Sequence, residues 1–299
     1  MAAAAGNAVA ELASRLRRVA YLLALISAAL YGAGDFVGGL TARRTSTVAV
    51  VVVSQLAGLA LLIAILPALH SNPPTRGDLL CGVAAGLAGG SAIALLYRAL
   101  AIGTMAIVAP ITASCAVVIP VAFDVAGGAH LRAGTAAGIV LALVAIALVS
   151  QGHAAGGGLA RSGPPRGVGL AVASGVGIGL FFLALARTSR ESGLWPLAAA
   201  RAASVLLFAC VAAGTRTSIA MPRRLLLTVA FGGVLDMLAN ALYLVASRGG
   251  DLSVIVTLAS LYPASTVLLA RVVLGERLTR LQYAGISCAF VAIVLIVGP

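Results

Sequence analysis

Two ionisable residues sit where apolar surroundings penalise them. Arg201 lies about seven residues into an apolar run that opens near residue 194, and Asp236 falls near the middle of the run 225–246. A charge at the centre of a hydrocarbon layer costs roughly 2.5–3.5 kcal/mol even on lenient insertion scales, so each needs a partner or a task. At a rise of about 1.5 Å per residue, Arg201 and Asp236 lie about 10 Å and about 15 Å from the same end of two consecutive antiparallel helices. An Arg side chain spans that difference, so the two either pair with each other or hold opposite charges on a solute. Asn240 and Tyr243 follow Asp236 at i+4 and i+7 and share its helix face. Carboxylate, amide and phenol on one face describe a cavity wall better than a lipid-facing one. Tyr31 and Asp35 repeat the i, i+4 spacing in the run 19–39, while Ser54 and Gln55 bring polarity into 47–67. Asp35 stands about four residues from the end of its run, where reaching out to headgroups competes with a cavity role. Tyr31, Asp35, Gln55, Arg201, Asp236, Asn240 and Tyr243 are therefore the candidate substrate-binding residues, and Asp236 or Asp35 is the group able to carry a coupling proton.

Other chemistries find no constellation. His70, His130 and His153 are scattered between apolar runs, and Cys81, Cys115, Cys210 and Cys288 lie inside them with no CxxC spacing. Neither a metal site nor a disulfide framework is implied. With no His inside a span, an integral-membrane enzyme lacks a base at the right depth. No phosphate-binding loop is present, and no cofactor is called for.

The elements that must hold these residues are helices in lipid. Hydrophobic residues make up 61% of the 299 positions, charged residues 9%, and mean hydropathy is +1.11. So few charges cannot cover a water-facing surface. The net charge of +12 comes from 20 basic residues, all of them Arg. Nearly all lie between apolar runs, where headgroup contact accounts for them, and nucleic acid is excluded as a partner. Apolar runs between Arg, Pro and Gly punctuation predict ten spans, at 19–39, 47–67, 78–97, 104–125, 134–151, 168–187, 194–214, 225–246, 253–274 and 281–298. Residues 1–18 form an N-terminal amphipathic segment with its arginines towards headgroups. Residues 152–167 are a Gly- and Pro-rich linker. Ser27-Ala28-Ala29 is compatible with signal-peptide cleavage, but the apolar run continues past it, so the first span is read as retained.

The chain is internally duplicated. Displaced by 147 residues, Arg76–Val149 aligns with Arg223–Ile296 without a gap, giving 20 identities in 74 positions. Among them are Arg76/Arg223, Gly86/Gly233, Gly103/Gly250, Gly128/Gly275 and Leu131/Leu278, with Ala137-Gly138-Ile139 on Ala284-Gly285-Ile286. The repeats are 19–151 and 168–298, five spans each. An odd number of spans inverts the second copy relative to the first and places a binding site near the midplane between them. The expected fold is an all-α integral membrane protein of about ten transmembrane helices, arranged as two inverted five-helix repeats.

From Leu261 to Ile296 the best-marked stretch runs through Pro263, Gly275-Glu276, Thr279-x-x-Gln282 and Gly285. This resembles the EamA family of the drug/metabolite transporter superfamily, whose penultimate helix carries an early Pro before a Gly-Glu turn and a Ser/Thr-x-x-Gln helix start. The first repeat keeps Gly128 and Gly138 but has Ala129 in place of the Glu and Gly134-Thr135 at the helix start. Thr279 and Gln282 also form a capping-box pattern, with Glu276 adding negative charge near the helix N-terminus. The resemblance implies ten helices, both termini cytoplasmic, and movement of metabolites, amino-acid-like compounds or drugs.

Gly82, Gly86, Gly89, Gly175 and Gly179 allow close helix approach, and Pro110, Pro120 and Pro263 can break or kink helices. With Arg201 set aside, an N-in orientation puts 8 Arg inside and 11 outside, whereas the balance of three against two around the first span favours N-in. The function expected is a secondary transporter of small solutes in the cell (plasma) membrane, with uptake and efflux, and a homodimer, left open. The competing reading is a lipid-handling or partner-chaperoning protein, favoured by a lipid-open groove with little polarity beyond Arg201 and Asp236.

Overall fold

The computed structural model describes residues 2–68, 72–103, 105–128, 132–151, 167–274 and 280–297. These residues form eleven α-helices: α1 (Ala2–Ala42), α2 (Thr47–Ile65), α3 (Arg76–Ile102), α4 (Met105–Ala126), α5 (Ala133–Gln151), α6 (Val168–Ala186), α7 (Trp195–Gly214), α8 (Arg223–Gly249), α9 (Leu252–Ala259), α10 (Tyr262–Leu274) and α11 (Arg280–Val297). A short 3₁₀ turn, Leu66–Ala68, follows α2. Six segments are long and apolar enough to cross a membrane: Ser14–Ala42, Thr47–Ala68, Arg76–Ile102, Val168–Ala186, Trp195–Gly214 and Arg223–Gly249. The other described apolar helical segments are shorter, between 10 and 17 residues. His70, His130, His153, Ala129, the Gly275-Glu276 turn, Thr279, the side chain of Gln282 and residues 152–166 of the linker lie outside the described residues.

Local signals account for the helix limits. Thr75 caps α3 through a reciprocal capping box, accepting from the Asp78 N–H while the Asp78 carboxylate accepts from the Thr75 N–H. Gly167 enters α6 at φ 91°, a left-handed conformation that favours glycine. The N-terminal amphipathic segment is continuous with the first span, so α1 runs unbroken from Ala2 to Ala42. Pro263 explains why the ninth predicted span is two helices. Its ring cannot continue a helix arriving from Ala259, so α9 stops and α10 restarts with Pro263 in its first turn. Pro110 and Pro120 lie within the continuous α4.

The duplication is visible in the backbone. Helices α3 and α8 are each 27 residues long, their starts lie 147 residues apart, and each ends on an extended glycine, Gly103 and Gly250. The same displacement relates two hydrogen bonds far from one another in sequence. Ser27 Oγ donates to the Ala239 carbonyl at 2.8 Å, joining α1 to α8. Ser174 Oγ donates to the Ala92 carbonyl at 2.8 Å, joining α6 to α3. The first helix of each repeat is thus bonded to the third helix of the other, and the repeats interlock rather than sit side by side.

Glycine permits this interlock at matching places. A Cβ at Gly86 of α3 would collide with the Ala200 backbone of α7, and one at Gly233 of α8 with the Ser54 backbone of α2. In lipid, where burial of apolar surface does not drive helices together, such close backbone approach supplies the packing that does. Helices α5 and α11 pair with each other away from this interlocked centre.

A polar cavity between the two repeats

Helices α1, α2, α3, α6, α7 and α8 line a partly open cavity, joined at one point by Tyr262 of α10. Six of the seven candidate residues line it: Tyr31, Asp35, Gln55, Arg201, Asp236 and Asn240. Tyr243 does not. Although it shares the face of Asp236, it sits two turns along, fully buried, where its hydroxyl donates to the Phe182 carbonyl at 3.0 Å and its ring packs on Phe182 at 4.3 Å between centroids.

One connected network joins most of the polar groups. The Arg201 guanidinium donates through Nη2 to Asp236 Oδ2, forming an ion pair, and through Nη1 to Gln55 Oε1. Its Nε points at the Met237 sulfur at 3.3 Å. Ser204, one turn on from Arg201, donates to Gln55 Oε1 at 3.0 Å. On α8, Asn240 Nδ2 donates to the Asp236 carbonyl at 2.6 Å and to Asp236 Oδ2 at 3.2 Å. Tyr31 Oη then donates to Asn240 Oδ1 at 2.8 Å. The network spans α1, α2, α7 and α8, so both repeats contribute to it.

Two polar groups stand outside it. Asp35 is 9% exposed, lines the cavity, and makes no hydrogen bond or ion pair among the described residues. It does not sit at a helix end, because α1 continues to Ala42. The Tyr262 hydroxyl, at the α9–α10 break, is buried without a hydrogen-bond partner among the described residues.

The register of the duplication organises the walls. Displacement by 147 residues relates Tyr31 to Ile178, Asp35 to Phe182, Gly89 to Asp236 and Ile93 to Asn240, and all eight residues line the cavity. The polar member of every pair lies on α1 or α8, which pack together, and the apolar member on α3 or α6, which also pack together. A symmetric scaffold therefore carries a polar wall facing an apolar one. Sequence reasoning singled out the polar wall by its lone charges. It did not find Ser204, though the i+3 spacing from Arg201 marks it, nor Phe181, Phe182, Ile93, Ile178 and Tyr262, since isolated apolar and aromatic residues in apolar runs carry no signal.

Polar contacts between elements cluster at one end of the bundle. Asp78 Oδ1 accepts from the Ser189 N–H at 2.7 Å, and Asn72 Nδ2 donates to Glu191 at 3.2 Å. Arg248 donates to the Gly193 carbonyl at 2.9 Å, and Asp124 accepts from the Ser253 N–H at 2.9 Å and its hydroxyl at 2.6 Å. Arg187 covers the Phe123 ring at 4.2 Å. At the other end, described side-chain hydrogen bonds such as those of Thr41, Thr215 and Ser218 stay within a few residues.

A family model described as the EamA-like transporter family matches residues 18–151 and again residues 165–298. No curated protein matches the chain. A crystal structure, described only as that of a protein, superposes with a TM-score of 0.65 over 95% of this chain and 96% of the other, at 18% identity; this likeness speaks to the fold alone.

Proposed function

The chain belongs to the EamA-like transporter family, and from that membership we propose that it is a secondary transporter of small solutes, working by alternating access between two inverted repeats. The observation that carries this reading is the cavity, with one polar and one apolar wall, between interlocked helices of the two repeats. Ten spans result when α9 and α10 count as one broken crossing, with repeats at 19–151 and 168–298 joined by the 152–167 linker. An even number of spans puts both termini on one face, taken as the cytoplasmic side of the plasma membrane. The cross-element contacts around Asp78, Glu191 and Arg248 then mark a closed cytoplasmic end, and alternating access requires them to separate.

Tyr31, Asp35, Gln55, Ser204, Asn240 and Tyr262 line the same space as Arg201 and Asp236. These polar groups beyond the ion pair support a solute with a polar part over a wholly apolar lipid chain, although most of the accessible lining is apolar. The test is thermal unfolding of the purified protein against a metabolite panel, with Asp236→Asn alongside. A ligand at 100 times its dissociation constant adds about 2.7 kcal/mol to the folded state. Stabilisation by one chemical class, lost in the variant, and entry of that class into proteoliposomes are the expected results. If no panel member stabilises the protein or enters the vesicles, the transporter reading fails.

A further inference from the structure

Resting on the transporter reading, we propose that the solute is an amphipathic organic cation, its ammonium-type head held by Asp35 and its apolar body laid against the α3/α6 wall. The charge inventory of the cavity comes first. Arg201 is its sole cation among the described lining residues, and that charge is already engaged by Asp236. Gln55 and the Met237 sulfur occupy further guanidinium donors. A solute carboxylate would have to displace Asp236 to reach Arg201. Asp35 has nothing to displace.

A buried carboxylate without a donor is costly to retain unless something else supplies the donor. Among the described residues the one cation on this cavity, Arg201, is already paired with Asp236. The charged and titratable groups within electrostatic range are Asp236, Tyr31, Tyr97 and Tyr262. The Tyr31 hydroxyl is committed to Asn240, and the Tyr262 hydroxyl on the same cavity is buried without a partner among the described residues. A solute cation would fill this vacancy and hold the carboxyl in its ionised form.

The opposite wall fixes the rest of the solute. At the positions matching Tyr31, Asp35, Asp236 and Asn240 it presents Ile178, Phe182, Gly89 and Ile93, with Phe181 beside them. Nothing there accepts a hydrogen bond from a polar tail. Phe181 and Phe182 add aromatic surface to that wall. A solute charged at one end and apolar or aromatic at the other satisfies both walls at once.

The experiment uses the full chain in lipid nanodiscs and three probes of similar size: benzyltrimethylammonium, benzenesulfonate and phenylalanine. The first is permanently charged, so its binding cannot reflect a proton carried by the ligand. Benzyltrimethylammonium is expected to bind saturably and the other two at least about tenfold more weakly. Asp35→Asn should weaken benzyltrimethylammonium about tenfold or more, equivalent to about 1.4 kcal/mol, while Asp35→Glu keeps most of the affinity. The wild-type order of the three probes decides the matter even if a variant folds poorly. Preference for phenylalanine or benzenesulfonate, or indifference of benzyltrimethylammonium binding to Asp35→Asn, overturns the cation assignment. The transporter reading survives that result if another metabolite class still stabilises the protein and enters proteoliposomes. Failure of all probes and of the whole panel sinks both.

Discussion

The Arg201–Asp236 pair makes a quantitative prediction. Its side chains are 8% and 13% exposed, so removing either partner leaves the other charge largely cut off from water. Breaking a buried pair from one side costs about 3–5 kcal/mol. Asp236→Asn keeps the shape and leaves Arg201 with Gln55 and the Met237 sulfur, so the lower figure applies, about 3 kcal/mol. Arg201→Gln leaves the Asp236 carboxylate with Asn240 alone and costs a similar amount. The double variant carries no charge in the network and should lose no more than either single variant, giving a coupling energy of about 3 kcal/mol. The assay is equilibrium unfolding in mixed micelles of all four proteins at one ionic strength. A coupling energy at or below about 0.6 kcal/mol, the mean for interhelical hydrogen bonds inside membranes, would show that the ion pair is not formed and remove the electrostatic basis for assigning Asp35 as the vacant charge.

The repeat interlock gives matched expectations. Gly86→Ala and Gly233→Ala, each pressing a methyl onto a facing backbone, should cost about 1–3 kcal/mol. Gly214→Ala, with nothing within 4 Å, should be neutral or stabilising; fluorescence-detected size exclusion after heating ranks the three. Ser27→Ala and Ser174→Ala each remove one interhelical bond at equivalent positions and should each cost about 0.5–1.5 kcal/mol. Unequal losses beyond that range in the same unfolding assay would contradict the shared register. Asp78→Asn keeps the shape but gives up the charge that holds Thr75 and Ser189, costing about 1–2 kcal/mol. Limited proteolysis should then cut faster between Arg187 and Trp195, and an unchanged cleavage rate would deny Asp78 its role in fixing that loop.

The fold was legible because lipid leaves the backbone few choices. Long apolar runs must be helical to satisfy their own polar groups, and a gapless displacement exposes the duplication even between weakly similar copies. The Arg201–Asp236 pairing was legible for the same reason, since a lone charge in an apolar run has few tolerable explanations. What stayed hidden depends on distance rather than type. Tyr243 shares the Asp236 face yet sits two turns away, against the Phe182 carbonyl. Asp35 looked like a residue near a span end because the apolar run fades after it, whereas the helix itself continues to Ala42. The break before Tyr262 needed only Pro263, but a proline in a sequence cannot distinguish a kink from a stop, and α4 carries two prolines without either interrupting it.

The division of the cavity follows from duplication itself. Two copies of one ancestral unit, interlocked through Ser27 and Ser174, would begin with identical walls. Identical walls suit a nonpolar or a twofold-symmetric guest. Divergence at a handful of positions breaks that equivalence at little structural cost, because Ser27, Ser174 and Gly233, which lock the helices, do not line the space, and Gly86, which does both, is kept. Gly86 and Gly233 remain the same residue, while Gly89 and Asp236, three positions further along each helix, do not. Glycine at 89 is held by packing as well: a Cβ there would approach the Phe181 ring to 2.7 Å. The apolar wall therefore cannot regain a carboxylate at that position without moving Phe181, and the cavity is held in its two-sided form by the contacts that shape it.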